Sequence, residues 1–182
     1  MKSEPSIQKG IITNEKGRIP FYHNKQLVYE WEQNLEEVLV YIKAPECLLE
    51  KNKEIIRKNL QPGQQMPKLS IVITTTHLTV GLVGLPPYLS EDLSGKVKAS
   101  ESLWTLDDGE ITITLEKALK AETWLSVFKG HEEVNLFQKE EMHKKMLLER
   151  FQEEHGGFDF SDAEINGNVP DPKTFMGGIK YA

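Results

Sequence analysis

From Leu27 onward, apolar residues recur at every second position in one short run after another. Tyr29 and Trp31 alternate with Glu30 and Glu32, and Val38, Val40 and Ile42 alternate with Leu39, Tyr41 and Lys43. The pattern returns at Ile71 and Ile73, at Leu78, Val80 and Leu82, at Val97 and Ala99, and at Ile111, Ile113 and Leu115. A period of two puts one side of each strand on a core and the other in water. Turn chemistry separates the runs: Asn34 before Glu36, Gly84 through Pro87, and Asp107-Asp108-Gly109. The last of these joins residues 103–106 to 111–115 as a hairpin. Residues 124–128 are read as a final strand. Many short strands without the helices that parallel crossovers need predict a mainly β, antiparallel sandwich.

Two stretches break the period. Residues 46–60 set Leu48, Leu49, Ile55, Ile56 and Leu60 among charges, as two helical turns inside an insertion of about 44–68 that Pro62-Gly63 closes. Residues 132–154 are rich in Glu, Lys, Gln, Leu and Met and predict a helix ended by Gly156-Gly157. Met142, Met146 and Glu149 line one stripe of it; Phe137, Leu147 and Phe151 suggest another. Packing on the sandwich is the plain expectation for this helix, and docking on a partner the sharper one. The chain thus divides into a flexible arm over 1–26, tacked down at Ile11, Ile12 or Phe21, and a sandwich over 27–129. A C-terminal helix over 130–156 follows, then a tail over 157–182 that Phe158 and Phe160 anchor and whose end is loose.

Composition narrows the function. The chain has 182 residues, enough for one domain with arms. No run approaches the roughly 18 apolar residues of a membrane span, and none follows Met1-Lys2-Ser3-Glu4-Pro5, so neither a spanning helix nor a secretory leader is expected. The single Cys47 excludes an internal disulfide or a multi-cysteine zinc site and fits the reducing cytosol. Net charge is −6, and residues 131–164 alone carry 10 acidic and 4 basic side chains. Residues 43–68 oppose them with 6 basic and 3 acidic side chains, net +3. That basic segment could clamp something acidic, the chain's own tail included. No basic face suits duplex nucleic acid.

Catalytic signatures are missing. There is no Gly-x-Ser-x-Gly, P-loop or dinucleotide fingerprint. His23, His77, His131, His143 and His155 are scattered, and His77 and His131 fall at element edges, where a solvated imidazole is expected. Cys47 has no histidine near in sequence, and Asp107-Asp108 is explained by its turn. No catalytic residue, metal or cofactor is expected. The outer strand face is more informative: Leu39 and Tyr41 lie on the non-core side, and exposed apolar groups on a sheet mark interfaces.

Three segments resemble the NudC (nuclear distribution protein C) family. Tyr29-Glu30-Trp31-Glu32-Gln33-Asn34-Leu35 looks like its opening strand pair, and Leu78-Thr79-Val80-Gly81-Leu82 like its central strand. Ser102-Leu103-Trp104-Thr105-Leu106-Asp107-Asp108-Gly109, followed by Ile111 to Lys117 and then Trp124, looks like its signature hairpin. Met142 to Gln152 and Gly157 to Asn168 are similar to the C-terminus of its short members. The insertion is longer than in the family, Asn34 stands where a Thr is expected, and the sequence diverges after Pro170.

The resemblance implies a CS domain, a sandwich of seven to eight strands, without catalysis. It implies a co-chaperone that works with heat-shock protein 90 and stabilises β-propeller (WD-repeat) clients, including the Lis protein of the dynein pathway, and so bears on nuclear movement. Some members also hold unfolded protein directly. It implies a cytoplasmic protein, with cytoskeletal or centrosomal association as an extension. Trp31, Trp104 and Trp124 match the family tryptophans. The expected core is Trp31, Val38, Val40, Leu78, Val80, Leu82, Trp104, Ile111 and Ile113. The candidate protein-binding residues are Leu39, Tyr41 and Lys43 on the outer face, Lys51, Lys53 and Lys58 in the insertion, and Lys96 and Lys98.

Overall fold

A computed structural model describes residues 13–156. Eight strands build two antiparallel sheets. The first five-stranded sheet runs in the order β1 (Ile19–His23), β2 (Gln26–Gln33), β3 (Glu37–Lys43), β8 (Glu110–Glu116) and β7 (Leu103–Asp107). The second runs β4 (Leu69–Ile73), β5 (His77–Leu82) and β6 (Leu89–Asp92). The insertion folds as a 3-10 turn at Glu46–Leu48 and helix α1 (Glu50–Asn59), and the chain closes on helix α2 (Leu136–Glu154).

Local chemistry sets the connections. Asn24 and Lys25 between β1 and β2, and Asp108 and Gly109 between β7 and β8, all take positive φ. Two consecutive left-handed residues make the tight turn whose twist matches paired strands. Between β2 and β3, Asn34 Oδ1 accepts the amides of Glu36 at 2.9 Å and Glu37 at 2.7 Å, so the Asn found where a Thr was expected still closes the turn.

Trp31, Val38, Val40, Leu78, Val80, Ile111 and Ile113 are buried, as the alternation requires. Two expected core residues are not. Leu82 is half-buried at the end of β5. Trp104 is 40 % exposed. Its register explains this: Trp31, Val40, Ile113 and Trp104 form one row across β2, β3, β8 and β7. Five strands face three, so the row runs past the opposing sheet and its last member spills over the edge.

Other expectations give way to longer-range contacts. Part of the supposed flexible arm is β1, which pairs along β2 and stacks Phe21 on His131 with ring centroids 4.2 Å apart. His131 is thereby half-buried rather than solvated; its Nδ1 lies 3.0 Å from the Tyr29 hydroxyl, and burial lowers its pKa. Around Val97 there is only a single bridge to Lys117, and residues 124–128 form a buried irregular segment bridged by Phe128 to Leu93 rather than a strand. β6 has no counterpart among the expected strands. Ile11, Ile12, Phe158 and Phe160 lie outside the described residues.

Helix α2 starts with a capping box, Asn135 and Gln138 each accepting the other's backbone amide. Met142, Met146 and Glu149 do form its docking stripe. Met146 is buried, Met142 packs against the core, and Glu149 accepts the Leu35 amide at 3.1 Å. Lys120 links Glu153 of α2 to Glu36, at 2.8 Å on each side. Beneath the helix, Lys117 is 1 % exposed. Its ammonium donates to Gln33 Oε1 at 2.9 Å and to the carbonyls of Asn34 and Glu122 at 2.7 Å each. All three protons are satisfied, which is what makes a buried lysine tolerable. Burial still pulls its pKa down to about 8.

Candidate protein-binding surfaces

The outer face of the five-stranded sheet presents two cross-strand rows. Glu30, Tyr41, Thr112 and Thr105 make one; Glu32, Leu39, Thr114 and Leu103 make the other. Tyr41 is not the free anchor that its position in the alternation implies. The Arg18 guanidinium lies over its ring, 3.2 Å from the centroid, and leaves Tyr41 only 9 % exposed. Arg18 is held there by Glu110 at 2.9 Å and Glu30 at 3.5 Å. The Tyr41 hydroxyl donates to Glu32 at 2.7 Å, and burial, then that carboxylate, push its pKa up to about 12. This half of the face is occupied by the chain itself. Leu39 is half-buried and Lys43 exposed at the strand end.

The lysine candidates form two separate groups. Lys51, Lys53 and Lys58 lie on α1, which buries no residue. Lys53 pairs with Glu50, whereas Lys51 and Lys58 are exposed and have no carboxylate within salt-bridge distance among the described residues. Lys43 sits at the same end of the sandwich, where Leu49 fills the space beside Gly109. Lys96 and Lys98 border the other end of β8, their backbones bonded to Ala118 and Glu116. Six residue steps of about 3.3 Å put the two ends of β8 roughly 20 Å apart. Lys98 is already engaged, by Glu101 at 3.1 Å and Glu116 at 3.5 Å, and the bond to Glu101 leads in raising its pKa. Lys96 is exposed.

The surface that periodicity did not reveal is strand β7. All five of its residues are exposed. Leu103 points outward, while Trp104 and Leu106 occupy the core side, 40 % and 38 % exposed. β7 ends the sheet, so among the described residues nothing pairs with its outer edge. An uncovered Trp and two Leu beside unpaired backbone amides and carbonyls can take an extended chain by strand addition and side-chain burial. A strand's position in the sheet order is not encoded in its own alternation.

One cluster has the connectivity of acyl-transfer chemistry. His77 Nδ1 lies 2.8 Å from Asp92 Oδ1 and its Nε2 lies 3.0 Å from Ser90 Oγ. The bond to His77 leads in lowering the Asp92 pKa. His77 and Asp92 face each other across β5 and β6, with Ser90 two residues on, and neither the cleft beside Lys43 nor the one beside Lys120 is lined by any of them. A nucleophile also needs donors aimed at a developing oxyanion and a pocket for the substrate. The cluster therefore reads as a cross-strand polar ladder. His77 is hydrogen-bonded on both ring nitrogens rather than simply solvated. Cys47 is half-buried, and no group of three metal-binding side chains occurs among the described residues.

Comparison with known proteins places this geometry in a family. The CS-domain profile matches residues 27–117. NudC domain-containing protein 2 of Homo sapiens is 31 % identical over 142 residues, covering 76 % of this chain and 80 % of that protein. Nuclear migration protein nudC of Drosophila melanogaster is 29 % identical, over 76 % of this chain and 48 % of that one. The solved CS domain of human KIAA1068 protein aligns with 75 % of this chain and 94 % of that one, at 18 % identity and a TM-score of 0.49. CS domains and NudC proteins are not enzyme families. The chain belongs to the CS-domain family, within its NudC group.

Proposed function

We propose that this chain is a non-enzymatic co-chaperone and adaptor of the NudC type. It binds and stabilises client proteins, β-propeller (WD-repeat) proteins foremost, alongside heat-shock protein 90 in the cytoplasm. Through such clients it bears on dynein-dependent nuclear movement. Two relatives carry nuclear movement in their names: Nuclear migration protein nudC of the fly and Nuclear movement protein nudc of Schizosaccharomyces pombe. The observation that carries the reading is β7, an edge strand unpaired among the described residues, on which Leu103, Trp104 and Leu106 are exposed. A surface of this kind grips a client without chemistry on it.

The test is thermal aggregation of a purified WD-repeat propeller with and without this protein. Protection near stoichiometry is expected, and a several-fold loss of it in the Trp104→Ala/Leu106→Ala variant assayed at a temperature where circular dichroism shows that variant still folded. Full protection by the variant would remove β7 from the function. An ATP-independent holdase is the second reading, favoured by the same uncovered strand. Equal protection of an unrelated unfolded enzyme, with no gain from heat-shock protein 90 and ATP, would select it.

A further inference from the structure

At the end of the sandwich marked by Lys43, the two sheets part around a cleft of about 330 Å³. Ile42, Val80 and Ile111 of the core line it, Leu69 and Pro45 flank it, and Leu85, Pro86 and Tyr88 of the β5–β6 connection complete the wall. The connection is tightly held. Val83 N donates to Lys68 O at 2.9 Å, Leu85 N to Leu82 O at 3.1 Å, Tyr88 N to Val80 O at 2.8 Å and the Tyr88 hydroxyl to Val28 O at 3.1 Å. Gly81 lets it sit close, for a Cβ there would come within 2.9 Å of Pro87 Cα. Val83, Leu85 and Tyr88 are nonetheless all more than half exposed. Apolar groups fixed in solvent around a preformed hollow are the usual setting of a ligand site. Preorganisation lowers the ordering cost of filling it.

The charge around the mouth selects the ligand. Lys43 lines the cleft, and the basic insertion leaves from one wall at Pro45 and returns to another at Leu69. Lys43, Lys51, Arg57, Lys58 and Lys68 have no carboxylate within salt-bridge distance among the described residues, and the segment 43–68 is net +3, against the exposed Asp107 and Asp108 of the β7–β8 turn at the same end. We propose that this cleft binds an extended acidic peptide segment of a partner protein, burying one apolar side chain between Leu85, Tyr88 and Ile111 while Lys43 and the insertion take the flanking carboxylates.

The inference deepens the reading of the chain as a binding protein; the cleft borders β7, whose Leu106 pairs with Ile111, but no residue of β7 lines it. Its probe is a dye-labelled peptide of Asp and Glu around one central Phe, followed by fluorescence anisotropy at fixed ionic strength with the full chain. Saturable binding is expected, several-fold weaker for the same peptide with Ala in place of Phe. Leu85→Ser and Lys43→Glu should each weaken it several-fold at unchanged melting temperature, and Trp104→Ala should leave it intact. Amide shifts in the 15N spectrum should centre on Leu69, Gly81, Leu82 and Leu85. No binding, equal binding of the Ala peptide, or full binding by Leu85→Ser overturns the proposal. So does displacement of the probe from the cleft by a peptide of residues 157–182, or a dimer that Leu85→Ser dissolves, since either names another occupant. Loss of peptide binding with client protection intact removes this cleft alone; the reverse removes β7 alone.

Discussion

Lys117 carries an ammonium into the seam between sandwich and helix, and burial there holds its pKa below the ordinary lysine value. Its pKa is about 8 in the folded chain, against 10.5 when unfolded. Between those values the unfolded state binds more protons, so stability rises with pH across that window and is lost as pH falls through 8. At roughly 1.4 kcal/mol per unit, the gain approaches about 3 kcal/mol. Urea unfolding at pH 7.5 and pH 10, with Lys117→Met as reference to cancel the tyrosines, should show wild type gaining on the variant. A constant difference would place the Lys117 pKa near that of a free lysine. Sequence gives no hint of this residue: Lys117 follows Glu116 at the end of an alternating run, and two of its three acceptors, Gln33 and Asn34, are distant in the chain. Tyr41 fails to read for the same reason. Its strand position is correct, but Arg18, outside the alternating region, covers it.

Among elements, the long alternating runs were legible because their pattern and their burial are the same fact. β2, β3, β5 and β8 are all of this kind. β6, Leu-Ser-Glu-Asp in sequence, is short and polar, and β1 opens Ile-Pro beside turn residues, so neither has a pattern to show. Of the candidate site, Lys43 and the insertion lysines share one end of the sandwich. Lys96 and Lys98 sit at the other, a separation that only strand order and register set. Helix α2 was legible in composition and in its Met142–Met146–Glu149 stripe, but its partner surface was not. That stripe makes α2 separable from the sandwich. Met146→Ala, losing a buried side chain, should lower the opening free energy of α2 by about 2–4 kcal/mol. Hydrogen exchange should quicken in α2 amides while β3 and β8 keep their protection. Equal acceleration in all three would make helix and sandwich one cooperative unit.

At the scale of the whole molecule, the alternation beginning at Leu27 marks where the pattern starts and not where the fold does. β1 supplies Phe21 to the Tyr29, Phe128 and His131 ring cluster, and the segment before it supplies Arg18 to Tyr41. A chain beginning at Gln26 loses both. The half-buried Ile19 and Phe21 alone should account for about 3 kcal/mol. Urea denaturation of that truncated chain checks it, and wild-type stability would mean that β1 is an ornament to the sheet. The open flank of β7 has a different implication. An unpaired strand is a template for any extended chain, another copy of itself included. β7 is five residues long, and the exposed carboxylates of Glu101, Asp107 and Asp108 stand at its two ends. They act as gatekeepers, shortening the stretch along which a second strand can zip. A strand this short and flanked by charge gives any pairing copy few backbone bonds and disfavours growth into a ribbon.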